Sequence, residues 1–520
     1  MSTPRLLILT AARMREADAA TTTAGTPVAT LMERAGAGAA LAIERRYGRV
    51  HGWRVAVVAG KGNNGGDGRV VGRLLAQRGA RVAIHAIEDG AIDLAPELDL
   101  VVDALLGTGS RGALAAPYAA AITAIAVARA RGARVVALDL PSGLDADTGR
   151  LLSANGPAVT ADLSVAFAHL KPVHVLAAGR GRCGAIEVVD IGVEPADGGA
   201  ADPELSTEAM IAALLPRRAI DAHKGACGHV LVVGGSVGLT GAVTLASTAA
   251  LRAGAGLVTA GVPASVNDAL EATMIEPMTW PLPESPERAL SEAAASMVLA
   301  RAAQVQVVAI GPGLSRAPAA AALARCVVAS SPAPLVLDAD GLNAFAGRAD
   351  ELARRMPGAA LVVTPHVGEM ARLTGLDVET IERERLTLPA RMAHIWNAVV
   401  VLKGAPTVIA SPDGRTAVNA TGNPGLATAG SGDVLTGILA GLVAQGLVPY
   451  DAARAATYVH GLAADIAHAC VGTLALVAGD VTAALPQALC RLQTAGARSE
   501  LIPLPQTRIA PAPADGSRSQ

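Results

Sequence analysis

Short aliphatic runs alternate with Ala-rich stretches along most of the chain. Residues 54–59 (RVAVVA), 81–87, 98–104, 133–140 and 185–191 are nearly continuous in Val, Ile, Leu and Ala, as strands buried on both faces of a parallel sheet must be. The stretches between them are long enough for one helix each, which is the spacing of βαβ units. The pattern breaks at 194–204 (EPADGGAADPE), where Gly, Pro, Ala and acids show no apolar period and predict a linker. A second series begins at 228–234 (GHVLVVG) and continues through 305–310, 335–337, 360–363 and 398–402. Two α/β layer structures are therefore predicted, over 1–200 and 206–495. The remainder, 496–520, is Pro, Arg, Ser and Ala without a period and is expected to be a disordered tail. Residues 434–448 are uncharged, but they are shorter than the roughly 20 residues of a membrane span and carry Thr436, Gly437, Gly441 and Gln445. A buried helix is expected there.

Composition narrows the classes. A chain of 520 residues with only two Phe and 56 Gly must build its cores from small and β-branched side chains, which suits tightly packed α/β layers. The formal net charge is −2, and no basic stripe is interleaved with aromatics, so no nucleic-acid partner is expected. Cys183, Cys227, Cys326, Cys470 and Cys490 are scattered without C-x-x-C spacing, which indicates neither a disulfide framework nor a zinc site. Arg13, Arg15, Glu16 and Asp18 interrupt the N-terminal stretch, so no secretory leader is expected. A cytoplasmic chain without a membrane partner is the expectation, and α/β chains of this kind are expected to self-associate into homo-oligomers.

Candidate chemistry sits at the ends of the aliphatic runs. In 423–437 (NPGLATAGSGDVLTG), Gly430, Ser431 and Gly432 are expected to turn backbone N–H groups toward one point ahead of a helix starting at about Val434. Asp433 at that helix mouth would face a bound anion, a place for a carboxylate that takes a proton from an attacking hydroxyl, or else an N-cap. In the first half, 60–68 (GKGNNGGDG) follows a strand and precedes a helix, the position of a nucleotide loop. It matches G-x-G-x-x-G, but the acids at Glu88 and Asp89 lie too far on for the usual ribose contact. VVDALLGTGSRG and ALDLPSGLDADTG place Asp103, Asp139 and Ser142 after two further strands. Asn64, Asp103 and Ser142 are hard oxygen donors suited to a cation, and Asp139 to proton transfer beside a bound ring, or all serve as turn and cap residues.

The segments GNNGGDG, VVDALLGTGSRG and DLPSGLDADTG resemble the NAD(P)H-hydrate epimerase domain over roughly 10–200. HKGACGHVLVVGGS, TGAVTLASTAALRAGAGLV, IGPGL, LDADGLNAF, TPHVGE, VLKGAPTVI and NPGLATAGSGDVLTG resemble the ADP-dependent NAD(P)H-hydrate dehydratase of the ribokinase-like superfamily over roughly 206–495. Together they are similar to bifunctional NAD(P)H-hydrate repair enzymes, which restore NADH and NADPH damaged by addition of water to the nicotinamide ring. The implied fold is an N-terminal Rossmann-like three-layer domain plus a C-terminal ribokinase-like α/β domain. The implied substrates are the R and S hydrates of NADH and NADPH, with ADP as phosphoryl donor and AMP as product.

Carried onto this chain, the resemblance implies that Asn63, Asn64, Gly65, Gly66, Asp67, Gly107, Thr108, Gly109, Ser110, Arg111, Gly112, Ala113, Tyr118 and Asp139 bind the hydrate in the epimerase half. It places Asn64, Asp103 and Ser142 around K+. In the dehydratase half it implies Ala242, Gly313, His366 and Asp433 at the hydrate, Lys403, Gly404, Ala405, Pro406, Thr407 and Gly432 at the adenine nucleotide, and Mg2+ with the phosphates. Asp139 and Asp433 are the implied catalytic groups. Asp338, Asp340 and Asn343 either neighbour the magnesium or cap a helix. Leu239 departs from the pattern, because many members carry an aromatic residue after the GGS loop. The GSGD loop by itself also fits a ribokinase-like small-molecule kinase fused to a nucleotide-binding module.

Overall fold

The computed structural model describes residues 5–497. Strands β1 (Arg54–Ala59), β2 (Arg81–Ala86), β3 (Leu100–Ala104), β4 (Arg134–Leu138), β5 (Leu163–Phe167) and β6 (Ala185–Val189) form one sheet in the order β2-β1-β3-β4-β5-β6. All its pairings are parallel. Strand alternation makes it the middle of three layers: Val55 and Val57 enter a core with Ala39 and Leu75, while Ala56 and Val58 enter another with Ile122 and Ile125.

The second sheet has ten strands: β7 (Glu204–Leu205), β8 (His229–Val233), β9 (Leu257–Pro263), β10 (Met278–Leu282), β11 (Val307–Ile310), β12 (Leu335–Leu337), β13 (Leu361–Val363), β14 (Val399–Leu402), β15 (Thr407–Ala410) and β16 (Thr416–Asn419). Its order is β10-β9-β8-β11-β12-β13-β14-β15-β16-β7. Pairing is parallel except at β14–β15 and β15–β16. Here too the strands feed two cores, with Val230 and Val232 on one side and Leu231 and Val233 on the other.

Three local expectations need correction. The loop expected at 60–68 is largely helix: Gly62 is the N-cap and the helix Asn63–Gln77 already contains NNGGDG. Likewise the helix expected from Val434 begins at Ser431, and of Gly430, Ser431 and Gly432 only Gly430 has a positive φ, at 85°. The supposed linker is tied down, because Arg13 pairs with Asp197 and Asp202, and Glu204–Leu205 becomes β7 beside β16. The helix Ser431–Ala444 is buried along nearly its whole length, as expected. The expected tail lies outside the described residues except for its first two positions, which end the helix Ala478–Ala497.

Candidate active sites

Both sheets present polar loops at the C-terminal ends of their strands, where open α/β sheets hold ligands. In the first sheet, Asp139 follows β4 with φ 64°, a left-handed conformation that costs a non-glycine residue energy and persists only under constraint. The constraints are visible. Its N–H donates to Val165 O at 2.8 Å, and its carbonyl accepts from His174 Nε2 at 2.8 Å. His174 Nδ1 accepts from the Lys171 N–H at 2.9 Å, so the ring is the neutral Nε2–H tautomer, and burial pushes its pKa down to about 4. Lys171 Nζ, on a side chain only 1% exposed, donates to Asp139 Oδ1 at 2.6 Å and to Phe167 O at 2.8 Å. The other oxygen, Oδ2, faces the loop after β3, accepting from Thr108 N at 3.4 Å beside Gly107.

The same loops converge on Asn64. Its Nδ2 donates to Leu106 O at 2.9 Å and Leu138 O at 3.2 Å, which leaves Oδ1 buried without a partner. Asp103 is fully buried; it accepts from Ser142 Oγ at 2.7 Å and Ser142 N at 2.9 Å, and burial pushes its carboxyl up to about 6. An orphaned amide oxygen in the same loops as a buried carboxyl and a hydroxyl is a set of oxygen donors that a cation would satisfy. Asp67 is buried in the same region, and burial together with the Asp139 and Asp18 charges pushes it up to about 8. Asn63, Gly65 and Gly66 occupy the adjoining helix turn. Gly109, Arg111, Gly112 and Ala113 lie exposed in the loop after β3, where Ser110 N donates to Gly107 O, and Tyr118 packs on the apolar cluster beneath the next helix.

In the second sheet two parallel helices aim at one spot. A Cβ on Gly437 would meet Ala246 O at 2.1 Å, and one on Gly441 would meet Ala250 O at 2.6 Å, so Ser431–Ala444 packs directly on the backbone of Thr240–Arg252 in parallel register. Continuing that register one turn toward both N-termini sets Asp433 beside Ala242. Two helix N-termini then add positive potential at the same place. Gly313 closes this side, its carbonyl accepting from Ser236 N at 2.7 Å and Ser236 Oγ at 2.9 Å, with Ala242 against it.

Lys403, at the end of β14, is no solvated lysine. Its Nζ donates to Asp338 Oδ1 at 2.7 Å, lies 3.7 Å from Glu369 Oε2, and borders Gly432. Asp338 does not cap its helix; its other oxygen accepts from Thr436 Oγ1 at 2.7 Å. Burial alone would raise the Asp338 carboxyl, but the Lys403 ammonium outweighs it and holds the group below its ordinary range. Burial and then the Asp338 charge push Asp433 the other way, up to about 7. His366 caps the helix Val367–Thr374 through Nδ1, and Glu369 returns a bond to the His366 N–H at 2.8 Å. Thr407 Oγ1 closes the loop onto Gly404 O at 3.1 Å.

Several functional groups escaped the sequence reading. Lys171 and His174 lie 32 and 35 residues from Asp139, and only the fold joins them. Arg385, 2% exposed, anchors the Lys403–Thr407 loop through Pro406 O at 3.0 Å and is itself held by Glu382. His460 lies 3.3 Å from Ser431 Oγ beneath the helix mouth. Among the described residues, no group of three or more His, Cys, Asp or Glu is arranged to hold a metal.

The family pattern described as NAD(P)H-hydrate dehydratase matches residues 230–487, and the one described as YjeF-related protein N-terminus matches 28–92 and 85–173. The bifunctional NAD(P)H-hydrate repair enzyme Nnr of Moorella thermoacetica is 45% identical over 94% of this chain and 97% of its own length. This chain belongs to the family of bifunctional NAD(P)H-hydrate repair enzymes. The Escherichia coli member is 36% identical over 88% of each chain. A solved structure described as ADP/ATP-dependent NAD(P)H-hydrate dehydratase from Bacillus subtilis, co-crystallised with ATP/Mg2+, is 30% identical over 56% of this chain and 98% of its own, with a TM-score of 0.48. Membership in the repair family displaces the small-molecule-kinase alternative. No helix among the described residues is long and apolar enough to cross a membrane.

Proposed function

We propose that the two sheets carry successive steps of one repair, acting on the hydrates of NADH and NADPH. On the first sheet, Asp139 takes the proton from the C6 hydroxyl, the C6–N1 bond breaks to give an aldehyde, and N1 gains a proton. Reclosure on the other face of the carbonyl inverts C6, so the R and S hydrates interconvert. Lys171 and His174 keep Asp139 in its strained backbone well with Oδ2 directed to the hydrate loop. Asn64, Asp103 and Ser142 would hold potassium, whose charge would brace the phosphate-facing loops.

On the second sheet, Asp433 takes the proton from the C6 hydroxyl of the S hydrate, and the oxygen attacks the terminal phosphorus of ADP as AMP leaves. The phosphate on C6 then departs with its electron pair, assisted by N1, and loss of a C5 proton forms the C5=C6 bond of NAD(P)H. Positioning and electrostatics dominate such transfers: Lys403 and the two helix N-termini stabilise the phosphoryl charge, and Gly432 admits it closely. Magnesium, when bound, neutralises diphosphate charge. The observation that carries this reading is the parallel register of Thr240–Arg252 and Ser431–Ala444, which brings Asp433 and Ala242 together at two positive helix ends.

Asp433→Asn should abolish ADP-dependent dehydration while ADP binding, measured by calorimetry, stays within a few-fold of the native chain. A fully active variant contradicts the mechanism. Asp433 acts as a base only when ionised, so the dehydration rate should rise with pH through about 7 and level off above it. A rate independent of pH between 6 and 8 would count against that role.

A further inference from the structure

A cavity of about 160 Å3 is lined by Arg316, Asp340, Asn343 and Arg372 with three alanines. Its polar groups form a continuous arch. Arg372 Nε donates to Asn343 Oδ1 at 2.9 Å, and Asn343 Nδ2 donates to Asp340 Oδ1 at 3.1 Å. Asp340 Oδ1 lies 3.5 Å from Arg316 Nε, and Oδ2 accepts from Ser315 N at 3.0 Å. Arg372 is held through Nε, and among the described residues no hydrogen bond engages the terminal amino groups of either guanidinium. Two arginines against one carboxylate leave the cavity positive, and paired terminal N–H groups match phosphate oxygens.

The cavity is also placed for the second substrate. Gly313 precedes Arg316 by three residues, His366 is on the segment that leads into the helix carrying Arg372, and Asp340 is two residues beyond Asp338, at most ~7 Å along the chain. In the sheet order β11 to β13, which lead to the cavity, lie between β8, which leads to Ala242, and β14, which leads to the Lys403–Thr407 loop. A dinucleotide with its ring at Asp433 that leads its phosphates away from those of ADP, toward Gly313, meets this pair of cations.

We propose that this cavity binds a phosphate group of the hydrated dinucleotide, with Arg316 and Arg372 as its paired cations. The assignment rests on the dehydratase site described above. It is tested by steady-state dehydration with the full-length chain and the S hydrates of NADH and NADPH separately, comparing Arg316→Ala, Arg372→Ala, the double variant and the two Arg→Lys variants. The double alanine variant should raise KM for hydrate roughly tenfold or more, with kcat and KM for ADP unchanged, because charge-assisted contacts made equally in the ground and transition states affect binding alone. The Lys variants, which keep the charge, should recover part of the loss. A rise for both hydrates identifies the diphosphate as the bound group, and a rise confined to NADPH hydrate identifies the 2′-phosphate. Unchanged KM for both overturns the assignment, as does a loss of kcat with a raised KM for ADP and a lowered melting temperature. If Asp433→Asn is inactive while the arginine variants are unaltered, only the cavity assignment falls; if Asp433→Asn is active, the site reading itself falls.

Discussion

Asp139 stands at a strand end and Asp433 in the first turn of a helix, and their surroundings prepare them differently. Asp433 has Lys403 nearby yet no hydrogen-bond partner among the described residues, and burial leaves it poised near neutrality. Asp139 is instead gripped by a buried lysine at 2.6 Å. Removing one member of a buried ion pair strands the other charge, at a typical cost of about 3–5 kcal/mol. Lys171→Met should therefore lower the stability of the first domain and abolish epimerisation. The double variant Asp139→Asn/Lys171→Met should regain stability without regaining epimerisation. Thermal melting read beside the epimerisation rate checks both, and a double variant that epimerises would deny Asp139 its role. Asn64, Asp103 and Ser142 were grouped around a cation by residue type, with potassium implied by the resemblance, and the orphaned Asn64 Oδ1 is a donor that such an ion would meet.

At the scale of elements, helix packing sets the second site. Gly437 and Gly441 let two helices touch backbone to backbone, so Gly437→Ala puts a methyl 2.1 Å from Ala246 O. Overpacking of this kind costs about 1–3 kcal/mol, and the forced shift should also lower dehydration without altering epimerisation. Equal activity in both assays would show that the helix contact does not set the site. The long aliphatic runs were legible because strands buried on both faces have little polar interruption, and 335–337 coincides with β12. β5, β9 and β10 went unmarked because Ser164, Thr259, Gly261 and Pro281 interrupt their apolar patterns, and the short β7, β15 and β16 went unmarked too. Motif residues were legible by type, whereas Lys171, His174, Arg385 and His460 were not, since their roles arise from contacts that no local spacing encodes.

For the whole molecule, the boundary is more than a tether. Leu7 bridges to Glu204, Ile8 to Leu170, and Ile8, Ala166, Leu170 and Val175 share an apolar cluster with Val408 and Val418 of the second sheet. Glu204 is paired with Arg5 on one side and Arg454 on the other. Halves separated near Gly198 keep every candidate site residue on its own side, so each should retain its activity. Each should also melt at a lower temperature than it does in the intact chain, because the cluster is exposed by the cut. Unchanged melting would show that the domains are independent. The central claim is that one chain carries both halves of the repair. The most direct test follows absorbance at 340 nm when purified protein receives mixed R and S NADH hydrate with ADP and magnesium. The account predicts recovery of nearly all the NADH, faster than spontaneous epimerisation allows, and recovery of the S fraction alone, or of none, would contradict it.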